Sequence, residues 1–305
     1  MVDVTIETRT APSSPPNTSN IDFRSAAAVV IAVVVWASAF VAIRDAGPAL
    51  SSAPMALLRL AVAALALTVL VGLRGGVRLP RARTPWLLVI GYAVLWLAGY
   101  TVALNAAERH VDAGTAALLV NLAPLLVALG AAALLREKLS RALVVGMSVA
   151  LAGVTTIAFG TAGRHDMLGV TLCLLSAVLY AAGVLVQKAA LRHVDALTAI
   201  WLGCLIATVV LLPWTPQLIT ELSSAPARTI ADGVYLGLFP TAIGFTAWSY
   251  ALRRTDAARL TTTSYAIPAV SVLLSWLLLA EAPTPWALAG GAVCLLGVAI
   301  SRRRS

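Results

Sequence analysis

The feature that most constrains this chain is an internal repeat. The run from Asp112 to Val154 contains Asn121, Pro124, the triplet Arg136, Glu137 and Lys138, and Gly146. It returns without a gap 144 positions later, between Asp256 and Val298. In that register Pro124 falls on Pro268, Leu134 and Leu135 on Leu278 and Leu279, Glu137 on Glu281, Gly146 on Gly290 and Gly153 on Gly297. Further upstream Trp36 meets Tyr180, Arg44 meets Lys188 and Arg109 meets Arg253. Helices alike only in being apolar would not keep prolines, glutamates and glycines in one register. The chain is therefore two copies of one unit, and a functional site is expected between them.

Composition fixes the solvent. Apolar residues make up 60% of the chain and charged ones 11%, with a mean hydropathy of +0.91. A soluble domain has about 45–50% and about 25%. Such a chain cannot cover itself with polar surface in water, so a bilayer is the expected environment. The net charge of +9 is scattered between apolar runs rather than gathered in one basic patch, so no nucleic-acid partner is expected. Cys173, Cys204 and Cys294 lie far apart inside apolar runs. They read as small hydrophobes, without the spacing of a disulfide framework or a metal site.

Residues 1–24 hold acids, Ser, Thr and the cluster Pro12 to Pro16, the composition of a disordered tail. A signal peptide cleaved after Ala37-Ser38-Ala39 is the rival reading, and the acidic tail and the many later apolar runs argue against it. Ten apolar segments follow, each near the ~20 residues that a ~30 Å hydrocarbon core requires. They run Ala26 to Ile43, Ala53 to Leu73, Pro85 to Ala106, Ala113 to Leu135 and Ala142 to Phe159. The second five run Leu168 to Ala190, Ala196 to Trp214, Ile230 to Leu252, Ala257 to Ala280 and Trp286 to Ser301. The predicted fold is all-α and integral to the membrane: ten transmembrane helices as two five-helix repeats, residues 26–159 and 168–301. An odd number of helices per copy makes the second enter from the opposite side, giving an inverted repeat.

Loop charges test this topology. One side collects Arg9, Arg24, the cluster Arg74 to Arg83, Arg136, Lys138, Arg141, Lys188, Arg192, Arg253, Arg254, Arg259 and Arg302 to Arg304. The other receives Arg44, Arg109, Arg164 and Arg228. By the positive-inside rule the first side, with both termini, is cytoplasmic. The longest connection, Pro213 to Thr229, is rich in Pro, Ser and Thr and is expected to be an outer loop.

This architecture resembles the drug/metabolite transporter superfamily, specifically its ten-helix EamA-type members. The resemblance covers residues 26–301. It rests on Pro124 through Glu137 and Gly146 to Gly153, on their echo at Pro268, Glu281, Gly290 and Gly297, and on Trp36 and Arg59, at whose positions that family commonly carries Trp and Arg. The second copy departs from it, with Tyr180 opposite Trp36 and Gly203 opposite Arg59. The resemblance implies export or exchange of small polar metabolites, often amino acids, across the cell membrane by alternating access.

The residues themselves supply candidate roles. Pro124 and Pro268 stand at matched midpoints of apolar segments, where a missing amide opens the backbone ladder; they are candidate hinges. Glu137 and Glu281 stand at matched helix ends and are candidate gates. No Asp or Glu lies at mid-span, so a buried carboxylate relay is not expected. Arg59 is the one ionised side chain well inside a span, and reads either as a structural arginine or as an anchor for a carboxylate. The other candidates for touching substrate are Trp36, Tyr100, Asn105 and Asn121 in the first copy, and Tyr180, Gln187, Trp248 and Tyr265 in the second. Gly146, Ala150 and Gly153, like Gly290, Cys294 and Gly297, form small-residue faces for close helix packing.

Enzymatic function is not expected: His110, His165 and His193 fall in loops on both sides and cannot converge on one buried nucleophile. No phosphate-cradling glycine motif, metal or cofactor is expected, and the expected partners are the bilayer and a small-molecule substrate. A drug or quaternary-amine efflux carrier, a channel, and a homodimeric assembly stay open as alternatives.

Overall fold

The protein is described by a computed structural model covering residues 23–77, 79–110, 116, 119–136, 139–159, 167–279 and 285–301. Among these residues it is all-helical. Six helical stretches are long and apolar enough to cross a membrane: Phe23–Ile43, Ser52–Leu73, Arg83–Ala107, Met167–Ala190, Ala196–Ser224 and Ala227–Arg254. Shorter apolar helices occupy Ala123–Leu134, Arg141–Gly153 and Leu288–Ser301. Each expected apolar segment contains helix among its described residues, and six of them carry a helix long and apolar enough to cross. Glu137 and Glu281 lie outside the described residues.

In the first copy the helices are α1 (Phe23–Ala46), α2 (Ser52–Leu73), α3 (Arg83–Tyr92), α4 (Thr101–Ala107), α5 (Ala123–Leu134) and α6 (Arg141–Phe159). In the second they are α7 (Met167–Ala190), α8 (Ala196–Leu211), α9 (Thr215–Ser224), α10 (Ala227–Leu236), α11 (Phe245–Arg254), α12 (Ala257–Thr261), α13 (Ala266–Leu279) and α14 (Pro285–Ser301). The copies interlock. Helix α1 packs on α10, α11 and α13 of the other copy, and its counterpart α7 packs on α3, α4 and α5. Helix α2 packs on its own counterpart α8, and α6 on its counterpart α14.

The last pair is the closest. A Cβ placed on Gly146 would lie 2.5 Å from the backbone nitrogen of Ser301 and 2.6 Å from the carbonyl oxygen of Gly297. One placed on Gly297 would lie 2.4 Å from the nitrogen of Ala150. The obstacles are backbone atoms, so no side-chain movement relieves them. These glycines let two helices touch main chain to main chain, where van der Waals contact replaces the hydrophobic effect that lipid does not supply.

Four local breaks depart from the uninterrupted helices the sequence predicts. Between α3 and α4 the chain is π-helical over Ala93–Tyr100, and between α10 and α11 it is π-helical over Gly237–Gly244. The second segment is the first displaced by the same 144 positions. It also contains Pro240 inside the helix. Proline has no N–H to give the carbonyl of Leu236, and the hydroxyl of Thr241 donates to that oxygen instead, at 2.8 Å. The other two breaks are also matched. Asn121 and Leu122 form a turn before α5, and Thr262–Tyr265 is a 3₁₀ segment before α13. Pro124 and Pro268 therefore do not kink continuous helices. They sit in the first turn of a restarted helix, where the missing N–H had no intrahelical partner to lose.

The Pro213 to Thr229 connection, read from sequence as a loop, contains α9. Its Glu221 carboxylate accepts the N–H and the hydroxyl of Ser51, the residue that precedes α2. This docks α9 on the positive end of a helix dipole. At the same end of the bundle Arg228 Nε pairs with Asp45 Oδ2 at 2.5 Å. At the opposite end Lys188 Nζ donates to the carbonyl oxygens of Leu252 and Thr255. There too Asp195 caps α8, accepting the N–H of Thr198 at 3.0 Å. Burial alone would raise the Asp195 carboxyl, but the Thr198 hydrogen bonds outweigh it and hold it below the usual carboxylate range. Its stabilisation is thus present above the unfolded carboxylate pKa and is lost as pH falls through the lower folded value.

Replacing Gly297 by alanine is expected to destabilise the protein by about 1–3 kcal/mol or more through overpacking. Gly72→Ala, where a Cβ would meet nothing within 4 Å, is expected to leave stability unchanged. Thermal unfolding of the two purified variants in detergent, read against the parent protein, checks both. Asp195→Ala is expected to cost about 1 kcal/mol at neutral pH, with the difference from the parent shrinking in acid.

Candidate functional site

The breaks surround a cavity whose envelope, open solvent at its mouth included, is about 690 Å³. It runs from the middle of the bundle toward the end that carries Ala46, Ser52 and Ala107. Its walls come from α1 (Trp36, Ala39, Phe40, Ile43), α2 (Arg59), the first π-segment and α4 (Trp96, Tyr100, Leu104), and the start of α5 with the turn before it (Val120, Asn121, Ala123, Pro124). The second copy contributes Tyr180, Phe245, Ser264 and Ile267.

Its floor is a continuous aromatic cluster. Trp36 lies edge-on to Phe245 with ring centroids 5.1 Å apart, and tilted on Trp248 at 5.0 Å. Trp96 meets Tyr180 at 4.9 Å and Phe245 at 5.0 Å, and Tyr180 meets Tyr100 at 5.7 Å, all edge to face. Edge-to-face packing fixes each ring through its neighbours, so the cluster behaves as one rigid block. Glycine makes the approach of the helices achievable: a Cβ on Gly183 would stand 2.4 Å from that of Trp96, and one on Gly244 would stand 2.9 Å from Trp36 Nε1.

The second π-segment holds two of the polar side chains at their posts. Trp36 Nε1 donates to the carbonyl oxygen of Pro240 at 3.0 Å. Arg59, buried to 7% exposure, donates from Nε to Thr241 Oγ1 at 2.6 Å. Among the described lining residues Arg59 is the one that is ionised, and no carboxylate lines the wall. The indole N–H of Trp96 is buried with no hydrogen-bond partner among the described residues, and the buried hydroxyl of Tyr180 meets that of Ser264. Ser264, the hydroxyl neighbour of Tyr180 in the wall, donates to the carbonyl oxygen of Thr261 at 2.7 Å. Buried donors without acceptors are costly in a finished core. Here the Trp96 donor borders space that a ligand can enter.

Of the residues singled out in the sequence, Trp36, Arg59, Tyr100, Asn121, Tyr180 and Pro124 meet in this cavity. Trp248 stands behind Trp36, and Tyr265 and Pro268 are buried outside the lining. Asn105 donates from Nδ2 to the carbonyl oxygen of Ser52 at 3.1 Å, tying α4 to the start of α2. Gln187 donates from Nε2 to Ser249 Oγ at 2.8 Å on the far side of the aromatic floor. Sequence reasoning missed Phe40, Trp96, Phe245 and Ser264. Trp96 carried a signal: it lies at mid-span, away from the interfaces where tryptophan is ordinary, and its counterpart is the helix-interior Pro240.

A bundle with this cavity at the junction of two copies is the layout of a carrier, and comparison with known proteins agrees. The sequence matches the EamA-like transporter family twice, over residues 24–159 and 167–303. The chain belongs to that family. It is 39% identical to a probable terminal-alkyne amino-acid exporter of Streptantibioticus cattleyicolor, over 91% of this chain and 93% of the relative. It is 25% identical to a probable amino-acid metabolite efflux pump of Salmonella typhimurium, over 72% of this chain and 78% of the pump. A protein of known crystal structure, 23% identical, superposes with a TM-score of 0.74 over 90% of this chain and 98% of its own, which establishes the likeness of fold. The chain is a multi-pass membrane transporter, not an enzyme.

Trp36→Phe keeps a ring in the cluster but removes the bond to Pro240. It is expected to cost about 0.5–1.5 kcal/mol of stability, measurable as a lowered unfolding temperature of the purified transporter.

Proposed function

We propose that this transporter exports or exchanges a small amino acid or a related carboxylate-bearing metabolite, with the carboxylate held at Arg59. The observation that carries the proposal is the charge of the cavity: among the described lining residues there is one buried guanidinium, the Trp96 indole N–H without an acceptor, the Tyr180 hydroxyl and no acidic side chain, with Glu108 acting on Arg59 from outside the lining. A carboxylate accepts from all of these donors, and a guanidinium matches it in shape. The rest of the wall is aromatic and aliphatic, with Asn121 and Ser264 as uncharged polar members. It takes a compact apolar side chain by contact and an α-ammonium group over a ring face. The names of the Streptantibioticus and Salmonella relatives support the same class.

In this reading the chain crosses the cell membrane ten times as two oppositely oriented repeats, residues 26–159 and 168–301, with both termini cytoplasmic. The distribution of charge supports it. Arg24, Arg74, Arg81, Arg83, Arg141, Lys188, Arg192, Arg253, Arg254 and Arg259 share the end of the bundle opposite Ser52. The cavity then faces outward, and transport proceeds by rocking of the halves about the aromatic floor.

Competitive counterflow into proteoliposomes tests the substrate class, with a panel of neutral amino acids, their amides and choline. Free amino acids are expected to exchange and the amides to compete poorly. Arg59→Gln is expected to lower exchange about ten- to hundredfold, the worth of a lost charge-assisted hydrogen bond, while the protein still purifies as a folded monodisperse species. Choline counterflow that survives Arg59→Gln would make this a quaternary-amine carrier instead.

A further inference from the structure

The repeat register divides the cavity lining into two sets. Three matched pairs line it with both members: Trp36 with Tyr180, Val120 with Ser264, and Ala123 with Ile267. These positions lie at the pseudo-twofold axis. Away from the axis the lining is one-sided. Ile43, Arg59, Leu104 and Asn121 border the cavity, whereas their counterparts Gln187, Gly203, Trp248 and Tyr265 are buried away from it.

The buried set is held shut by specific contacts. Gln187 Nε2 donates to Ser249 Oγ at 2.8 Å, and Ser249 donates to the carbonyl oxygen of Phe245 at 2.6 Å. A Cβ on Gly203 would lie 2.8 Å from both Leu97 and Tyr92. Trp248 is fully buried against Trp36. Yet this packed half is not satisfied. Trp248 Nε1 is buried without a hydrogen-bond partner among the described residues, while the Tyr92 hydroxyl and the Gln187 amide engage one another. A permanent core does not readily carry a buried indole donor without an acceptor, because the donor forfeits its hydration with no return. Groups that are wetted in a second conformation do not bear that cost throughout the cycle.

We propose that this half is the second arm of the transport path. In the other state of the carrier, Gln187, Trp248 and Tyr265 line a cavity open to the opposite side, and the Gln187 to Ser249 hydrogen bond is the latch that closes it here. The assignment rests on the two-sided carrier reading above, and adds to it the lining and the latch of the arm not open in this structure. The two arms differ chemically. With Gly203 in place of an arginine, the second arm offers an amide and an indole N–H but no charge, so it receives the same carboxylate through neutral donors.

The test needs no substrate. The three cysteines are replaced by alanine, and one reporter is introduced at a time: Ile43→Cys in the open arm, and in the closed one Val184→Cys, at the buried counterpart of the cavity-lining Phe40. A membrane-impermeant maleimide is then applied to right-side-out or inside-out vesicles. Ile43→Cys is expected to react from the Ser52 end and Val184→Cys, more slowly, from the opposite end. Adding Ser249→Ala, or separately Gln187→Ala, removes the latch. Each is expected to raise the Val184→Cys rate about two- to tenfold, the worth of one net hydrogen bond, and to lower the Ile43→Cys rate. Labelling of both reporters from the same side, or rates that neither latch variant moves, would overturn the proposal. Failure of amino-acid counterflow would leave these rates as they are, so the two readings fail separately.

Discussion

A helix inside a bilayer can be interrupted only where something other than water takes up the freed backbone groups. That constraint organises this molecule. Its interruptions within the apolar spans, the π-segments at Ala93–Tyr100 and Gly237–Gly244 and the breaks ahead of α5 and α13, lie around one cavity. The two in the second copy are accounted for locally. The carbonyl of Leu236 is taken by Thr241 and that of Pro240 by Trp36, while the hydroxyls of Thr261, Thr262, Thr263 and Ser264 turn back onto carbonyls one turn earlier. The groups that satisfy broken backbone are therefore many of the same groups that shape the site. Trp36 and Thr241 do both: one bonds the Pro240 carbonyl and walls the cavity, the other bonds the Leu236 carbonyl and receives Arg59.

The interlock of the copies gives those breaks their mechanical setting. Because α1 packs on the third and fourth spans of the other copy, and α7 does the reverse, neither copy can form its half of the cavity alone. The interface of α1 with α10 and the second π-segment is also polar along its length: Trp36 to Pro240, Ser38 to Tyr235 at 2.6 Å, and Asp45 to Arg228. In the repeat register the counterparts of the last two pairs are Ala182 with Gly91 and Ala189 with Thr84, in each of which alanine offers no side-chain donor or acceptor. Fold symmetry is thus combined with chemical asymmetry, and Arg59 opposite Gly203 is its sharpest instance.

Much of this was legible beforehand, for reasons that can be stated. Hydropathy and the 144-residue register found the apolar segments and the duplication, because lipid demands long apolar runs and an ungapped register survives only in a shared fold. Small residues at Gly146 and Gly297 marked faces for close helix packing, since little else explains glycine on an apolar helix face, and the structure joins those two faces as the α6 and α14 contact. Of the cavity, Trp36, Arg59, Tyr100, Asn121 and Tyr180 stood out as polar or amphipathic groups at mid-depth. What hid was backbone geometry. A π-segment shifts hydrogen bonds by one residue without a dedicated residue code, so Trp96 and Phe245 looked like filler and Pro240 was passed over for Pro124 and Pro268. Helix α9 was hidden by its turn-forming composition, Pro213, Pro216 and several Ser and Thr. It forms nonetheless, with Pro216 in its first turn and Glu221 docked on Ser51.

The contact of α6 with α14 has a further meaning. Each helix is the counterpart of the other, so the surface that makes the contact is self-complementary, the defining property of a twofold subunit interface. Two separate five-helix units could meet through this face as two subunits do, at a rate and occupancy set by their concentration in the membrane. Joining them in one chain turns that bimolecular equilibrium into an intramolecular one, governed by the reach of the connection and independent of expression level. The glycines that let the two backbones touch need only supply a fit, because the covalent link already keeps the partner at hand.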